Sequence, residues 1–157
     1  MSLERGNTRF RIGLVGCGRI SERHFDAIAH TPAMQLVAVC DDVEERARQA
    51  GEKMSVPFYT NFAQMLDERA CEVVAVCTPS GLHPRHGIMA AEKGAHVICE
   101  KPMATRLEEA DALVHACDDA GVYLFVVKQN RLNPAIQLLK RSIDLGRFGR
   151  ILPTLSL

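Results

Sequence analysis

The stretch FRIGLVGCGRIS, residues 10–21, decides the fold of this chain. Its first half, Phe10–Val15, is a continuous apolar run that predicts a buried β-strand. Gly16 and Gly18 follow at once, and the next residues predict a helix over Ile20–His30. A strand that enters a helix through a G-x-G turn is typical of dinucleotide-binding folds. Glycine permits the tight turn and lets the backbone come close to a pyrophosphate at the helix N-terminus.

The third position of this fingerprint is Ser21, where glycine or alanine is usual. A small residue still permits close packing of helix on strand, so the departure is mild. Because glycines also end strands for reasons of fold alone, a chance strand–turn–helix is the alternative. Asp41 favours a nucleotide, since it closes the next predicted strand, about 20 residues on, where a carboxylate accepts hydrogen bonds from the adenosine ribose.

Asp41 and Asp42 also bear on the choice of cofactor. A ribose 2′-phosphate would meet two carboxylates at close range, which is unfavourable. No arginine is adjacent to them, and Arg46 and Arg48 lie on the helix beyond. The sequence therefore predicts NAD rather than NADP. An alternative role for Asp42 is that of N-cap of that helix.

The rest of the chain alternates apolar runs with helical patterns. The strand runs are continuously apolar, so both faces are expected to be buried, which predicts an α/β fold with a doubly wound parallel sheet. Asn61 and Asn133 are predicted helix N-caps, and Thr105–Glu108 predicts a capping box. The further predicted strands are Gln35–Cys40, Phe58–Tyr59, Glu72–Cys77, Ala95–Cys99 and Val122–Val127; the further predicted helices are Val43–Met54, Phe62–Asp67, Pro84–Lys93, 105–120 and Ala135–Leu145.

The composition argues against several classes of protein. Lys plus Arg and Asp plus Glu are balanced at 19 each, whereas nucleic-acid and membrane-surface partners need a basic excess. No apolar run reaches the roughly 18 residues of a membrane span. The six cysteines are scattered without a C-x-x-C pair, which favours reduced thiols in a cytoplasmic protein over disulfides or zinc.

Two more predicted strands end in unusual loops, Thr78–His83 (TPSGLH) and Glu100–Pro102 (EKP). Carboxyl ends of parallel strands meet at one edge of a sheet, so both loops are expected beside the glycine turn. Prolines at Pro79 and Pro102 stiffen these loops. The spacing of His83 and His86 suggests a metal, but no carboxylate or cysteine completes a ligand set, so no metal site is predicted.

The motifs GCGRIS (16–21), CTPSGLH (77–83) and CEKP (99–102) together resemble, in order, those of the Gfo/Idh/MocA oxidoreductases, which act mostly on sugars and cyclitols. The resemblance spans about residues 10–150. Within the family, CEKPMATR, LFVVKQNRLNPAIQLLKR and GRFGRI are most similar to dehydrogenases of UDP-N-acetylglucosaminuronate. Those enzymes oxidise the sugar C3 hydroxyl on the way to bacterial surface polysaccharides. The resemblance implies an NAD-dependent sugar dehydrogenase.

The resemblance also implies roles for individual residues. Lys101 is the implied catalytic residue, near the nicotinamide C4 and the reacting hydroxyl, because hydride leaves carbon only as the hydroxyl proton is withdrawn. Lys101, Asn130 and Arg131 are the implied substrate contacts, with Arg131 pairing a uronate carboxylate or a diphosphate. The implied cofactor-binding residues are Gly16, Gly18, Arg19, Ile20, Asp41, Thr78, Pro79, Ser80, His83, Glu100, Lys101 and Gln129.

Several of these residues have plainer alternatives. Without the context of its motif, Lys101 would be interpreted as a solvated loop lysine. The alternative role for Arg131 is to cap a helix. His24 and His96 are expected to be packing or surface histidines. The alternative functions are a non-catalytic NAD-binding sensor module and a dehydrogenase of inositol or another sugar.

The predicted domain organisation has three parts. Residues 1–9 are expected to be disordered or tag-like, residues 10–130 to form the Rossmann domain, and residues 131–157 to form a linker helix and the stub of a substrate domain. Family members continue into an α+β domain that supplies most of the substrate pocket and the oligomer interface, so the full-length protein is expected to be a homo-oligomer. The tail ILPTLSL departs from the expected strand pattern, and Pro153 suits a central strand poorly. We therefore expect a truncated chain that binds NAD with little turnover and self-associates through apolar surface around Val126–Leu139.

Overall fold

The computed structural model describes residues 9–150 and divides into two units, one that ends at Val127 and one that begins at Lys128. The predictions for residues 1–8 and for the tail 151–157 lie outside the described residues. In the first unit the strands are β1 Phe10–Val15, β2 Met34–Cys40, β3 Phe58–Tyr59, β4 Val73–Val76, β5 His96–Cys99 and β6 Leu124–Val126. Its helices are α1 Ser21–Ala29, α2 Glu44–Met54, α3 Phe62–Glu68, α4 His83–Glu92 and α5 Leu107–Asp119, with a 3₁₀ turn over Ser80–Leu82. The second unit contains α6, Pro134–Asp144.

The strands form one parallel sheet in the order β3-β2-β1-β4-β5-β6. This order confirms the predicted α/β fold with a doubly wound parallel sheet. Ile12 of β1 pairs with Leu36 of β2 on one side and with Val73 of β4 on the other. The chain places β2 and β3 on one side of β1 and then crosses to place β4, β5 and β6 on the other side. The direction in which strands are added therefore reverses beside β1. Open sheets bind ligands at such a switch point, beyond the carboxyl ends of the strands.

Both faces of the sheet are covered, which is why its strands are continuously apolar. Phe25 of α1 and Ala50 of α2 belong to the core on one face. Met65 of α3 and Leu113 of α5 belong to the core on the other. All four residues of β4 are buried, and burying one valine side chain contributes about 1.5–3 kcal/mol. This two-sided core fixes the strand ends that carry the candidate site.

Two of the predicted helix caps are confirmed. Asn61 Oδ1 accepts a hydrogen bond from the backbone nitrogen of Gln64 at 3.2 Å at the start of α3. Asn133 Oδ1 accepts one from the backbone nitrogen of Ala135 at 3.0 Å at the start of α6. Both asparagines therefore satisfy an amide that has no partner within the helix.

The predicted capping box at Thr105–Glu108 is wrong. The N-cap of α5 is Arg106, and no side chain caps this helix. Because the helix begins one residue later than predicted, Glu108 falls at its second position rather than its third, which removes the reciprocal pair that the motif requires. Within residues 9–150, none of the helices combines the length and apolar character needed to span a bilayer.

Candidate cofactor site and active site

The glycine turn after β1 contains two glycines with different structural roles. Gly16 has a φ of +94°, and a Cβ atom there would lie 2.5 Å from the backbone nitrogen of Thr78. The close approach of the two segments therefore requires glycine at this position. A Cβ atom on Gly18 would meet nothing within 4 Å. Packing within the protein therefore does not explain why this position is glycine. A pyrophosphate that lies against the turn does explain it, because it needs a backbone without a side chain there. The turn therefore fits a dinucleotide.

Ser21 occupies the third position of the fingerprint and holds the turn in shape. Its side chain is buried, and Oγ donates a hydrogen bond to the carbonyl oxygen of Gly18 at 2.6 Å. The backbone nitrogen of Ser21 donates to the same oxygen at 3.1 Å. Serine thus replaces glycine or alanine without loss of packing and adds a bond that neither could make. No side chain caps the N-terminus of α1, and the positive end of the helix dipole there favours an anion.

Asp41 joins the glycine turn to the start of α2. It is 6% exposed, and its Oδ2 accepts a hydrogen bond from the backbone nitrogen of Cys17 at 2.7 Å. Its Oδ1 accepts one from the backbone nitrogen of Val43 at 2.9 Å. Each carboxylate oxygen has capacity for a further bond, so the group can still accept from a ribose hydroxyl. Arg46 of α2 reaches back, with Nη1 4.0 Å from Asp41 Oδ1.

The N-cap role considered for Asp42 is wrong. Val43 is the N-cap of α2, no side chain caps the helix, and Asp42 is exposed. The residue before it, Asp41, accepts the bond from Val43 instead, through one carboxylate oxygen while the other accepts from Cys17 in the turn. Asp41 therefore has a structural role at the start of α2, whereas Asp42 faces solvent.

One cleft of about 580 Å³ unites the glycine turn with the loops that follow β4 and β5. It lies at the carboxyl edge of the sheet, where the fold places a ligand. Arg23, in the first turn of α1, also lines it, although the sequence did not single it out. The residues that line the cleft are Arg19, Ile20, Arg23, Thr78, Pro79, Ser80, His83, Glu100 and Lys101.

Glu100 is buried beside the cleft, and the protein itself engages both of its carboxylate oxygens. Oε1 lies 2.8 Å from Nε2 of His24, in α1, and Oε2 accepts a hydrogen bond from the backbone nitrogen of Lys101 at 3.1 Å. The sequence indicated only a packing or surface role for His24. The contact fastens the helix that follows the glycine turn to the loop that carries Lys101, whose own side chain is exposed.

His83 lines the cleft and is 1% exposed. Its Nε2 is 2.6 Å from the carbonyl oxygen of Thr78, and its Nδ1 is 2.7 Å from that of Pro102. Both ring nitrogens thus contact the protein, so His83 supports the two loops, and its role in cofactor binding stays a prediction. His86, on the same helix, has its Nδ1 3.0 Å from the Thr78 hydroxyl.

Cys17 stands between the two glycines of the turn. Burial, followed by the charge of Asp41, raises the pKa of its thiol to about 12. The thiol is therefore neutral at physiological pH and presents no negative charge to a phosphate. All six cysteines are free. Among residues 9–150, no three His, Cys, Asp or Glu side chains are placed to hold a metal ion.

The remaining predicted site residues belong to the second unit. Gln129, Asn130 and Arg131 are exposed in a turn that precedes α6. In that turn the backbone nitrogen of Arg131 donates to the carbonyl oxygen of Lys128 at 2.9 Å. Their roles toward cofactor and substrate stay predictions.

The parallel sheet, the glycine turn, the buried carboxylate at the end of β2 and the cleft at the switch point define a dinucleotide-binding Rossmann domain. A model of the Gfo/Idh/MocA oxidoreductase family, described as an NAD-binding Rossmann fold, matches residues 10–128. The chain belongs to this family, and its cofactor is NAD, as the sequence predicted.

Two similar solved structures are dehydrogenases in complex with NADH and UDP-GlcNAcA. WlbA from Bordetella pertussis is 48% identical with a TM-score of 0.88, and the match covers 91% of this chain and 44% of that one. WlbA from Chromobacterium violaceum is 43% identical with a TM-score of 0.89, over 94% of this chain and 43% of that one.

Curated relatives act on a wider range of compounds. D-apiose dehydrogenase of Paraburkholderia graminis is 37% identical over 142 residues, which are 90% of this chain and 38% of the relative. Myo-inositol 2-dehydrogenase of Thermotoga maritima is 29% identical over 141 residues, 89% of this chain and 42% of the relative. This chain thus spans less than half the length of these relatives.

Proposed function

We propose that this chain is the NAD-binding part of a dehydrogenase that oxidises the C3 hydroxyl of a UDP-linked N-acetylated hexuronate. The observation that carries the proposal is the position of Lys101 in the same cleft as the glycine turn. The substrate class is supported by the two WlbA structures, which are 48% and 43% identical to this chain over the matched region and hold UDP-GlcNAcA. The apiose and inositol dehydrogenases are less similar, at 37% and 29%.

In this proposal Lys101 carries the proton of the reaction. NAD, when bound, supplies the hydride acceptor. In its amine form, Lys101 takes the proton of the substrate hydroxyl and becomes an ammonium; proton transfer by a positioned side chain contributes about 10²–10⁴-fold to rate. Glu100, fastened by His24, holds the backbone nitrogen of Lys101 and so fixes the loop.

The other lining residues bind and orient. The N-terminal end of α1, with the guanidinium groups of Arg19 and Arg23 in the cleft, neutralises a diphosphate. The carboxylate of Asp41 accepts the ribose hydroxyls. Asn130 and Arg131 keep their predicted roles as substrate contacts. The proposal places the enzyme in the cytoplasm, where six free thiols are stable, and in the synthesis of a surface polysaccharide.

Calorimetry and turnover test the proposal. NAD should bind more tightly than NADP, and the NAD-saturated chain should bind UDP-GlcNAcA in preference to myo-inositol and D-apiose. In a turnover assay that follows NADH, carried out on the dehydrogenase of which this chain is the NAD-binding part, Lys101→Met should lower the rate of UDP-GlcNAcA oxidation by about 10²–10⁴-fold and leave NAD affinity unchanged.

Lys93→Met is the matched control for this variant. Lys93 follows the C-terminal end of α4, which is the end away from the cleft. Its Nζ lies 2.5 Å from Oδ1 of Asp67, so its replacement should change neither the rate nor the NAD affinity. Stronger binding or oxidation of myo-inositol or D-apiose contradicts the substrate class. NAD binding with no response to any of the three compounds indicates the non-catalytic NAD-binding module instead.

A further inference from the structure

The environment of His83 demands two hydrogen-bond donors from one imidazole ring. Its nitrogens lie 2.6 Å and 2.7 Å from the carbonyl oxygens of Thr78 and Pro102, and a carbonyl oxygen can only accept. A neutral imidazole has one N–H and one lone pair, so either tautomer would set a nitrogen lone pair against an oxygen lone pair. At 1% exposure no water can intervene to relieve that contact. The imidazolium donates to both.

We propose that His83 is held as an imidazolium and acts as a positioning residue that braces the loop of Thr78 against the loop of Lys101. The two carbonyl groups that it joins belong to the loops that follow β4 and β5, and both loops line the cleft. Charge-assisted hydrogen bonds are shorter and about twice as strong as neutral ones, in agreement with the short distances here. The brace therefore sets the spacing of the two loops before any ligand binds.

The neighbouring histidine is the neutral one of the pair. Burial, followed by the charges of Arg85 and His83, lowers the pKa of His86. Neutral His86 Nδ1 is free to accept from the Thr78 hydroxyl, so the cation of this site resides on His83. The other charged or titratable groups that line the cleft or adjoin these histidines are Arg19, Arg23, His24, Asp42, Glu100 and Lys101.

Loss of the proton from His83 removes one of the two bonds and leaves a repulsive contact in its place. The loops then separate, and the preformed shape of the cleft is lost. We expect NAD affinity to fall about tenfold when this brace is lost. This effect concerns NAD alone, so it does not depend on the sugar; only an accompanying effect of the brace on Lys101 rests on the proposed dehydrogenase function.

Nitrogen NMR of the chain labelled with ¹⁵N-histidine tests the proposal directly. At pH 7 both ring nitrogens of His83 should carry slowly exchanging protons. His30 is the internal reference, since it is exposed and only its Nδ1 faces a carbonyl oxygen, that of Asp26, at 2.8 Å. A His83 ring with one unprotonated nitrogen at pH 7 overturns the proposal.

NAD affinity at fixed pH supplies a second readout. His83→Gln has a single donor nitrogen and cannot bond both carbonyl oxygens from opposite sides of a ring, so its NAD affinity should be about tenfold weaker at pH 7. His30→Gln is the control and should behave as the original chain. Unchanged NAD affinity in His83→Gln overturns the proposal, and if this variant does not fold the NMR measurement decides alone. Failure of sugar oxidation would leave both readouts intact.

Discussion

At the scale of single residues, Cys40 predicts how stability depends on pH. It is 2% exposed at the end of β2, and burial, followed by the charges of Asp41 and Asp42, raises its pKa from 9.0 to about 12. The pKa of the thiol is therefore higher in the folded chain than in the unfolded one. The protonated thiol then contributes its full share of the unfolding free energy below about pH 9, and this share is lost as pH rises toward 12. Between about pH 8 and about pH 10, Cys40→Ala should lose about 1 kcal/mol less unfolding free energy than the original chain.

Urea unfolding at the two pH values measures this difference. Val39→Ala is the control, because Val39 is fully buried in the same strand and has no proton to lose. That variant should be destabilised equally at both pH values. The other cysteines are present in all three proteins, so their titration cancels. Equal pH slopes in Cys40→Ala and the original chain would contradict the prediction.

Chemistry-bearing residues were predictable where a motif and a strand end coincide. Gly18, Asp41 and Lys101 each follow a recognisable apolar run, so the sequence places them at one edge. The contact of His24 with Glu100 was not predictable, since the two residues are 76 positions apart and meet only through the rotation of α1 about its axis. No local pattern encodes that rotation.

At the scale of elements, the glycine turn separates fold from ligand binding. Gly16→Ala forces a Cβ atom to 2.5 Å from the backbone nitrogen of Thr78 at a φ of +94°, and should lower the unfolding free energy by at least about 2 kcal/mol. Gly18→Ala meets no protein atom, so its stability should change by less than about 0.5 kcal/mol. A methyl group against the pyrophosphate should instead weaken NAD binding at least about tenfold.

Urea unfolding and calorimetry on the two variants check this separation. Gly18→Ala is the control for the loss of stability expected in Gly16→Ala. Gly16→Ala in turn shows how much NAD binding is lost when the fold itself is damaged. A loss of stability in Gly18→Ala as large as in Gly16→Ala would show that both glycines serve packing alone.

The helices and strands were predictable from apolar runs and helical patterns, whereas several of their ends were not. The predicted strand Val122–Val127 is shorter in the structure, Leu124–Val126, because this edge strand bonds only to β5 and pairs with Val97–Cys99. A strand ends where its partner ends, and the partner is not visible in the local sequence. The same holds for α5, whose start at Leu107 overrides the local signal at Thr105.

At the scale of the whole molecule, exposed apolar side chains predict association. Phe125 is 54% exposed in the first unit and Leu138 is 65% exposed in the second. Exposed apolar surface of this kind favours self-association, with a gain of about 25 cal/mol for each Å² removed from water. The apparent mass in light scattering should therefore rise with protein concentration.

Leu138→Glu should weaken this association, since it sets a charge on the apolar surface of α6. Gln137→Glu adds the same charge at a neighbouring polar position of the same helix and should leave the association unchanged. An apparent mass that is independent of concentration would contradict the prediction.

The sheet class was predictable at this scale from strand–helix alternation, but the order of strands was not, because it depends on contacts between distant segments.

The carboxylate that closes β2 has a consequence for coenzyme engineering. Asp41 is a natural position to alter when a dehydrogenase is to be switched to the phosphorylated coenzyme. Here the same group satisfies the amides of Cys17 and Val43, so its removal would strip two donors of their acceptor and loosen the corner on which the coenzyme rests. A successful switch has to install a substitute acceptor together with the new cation, and Arg46, already 4.0 Å away, is the side chain to build from.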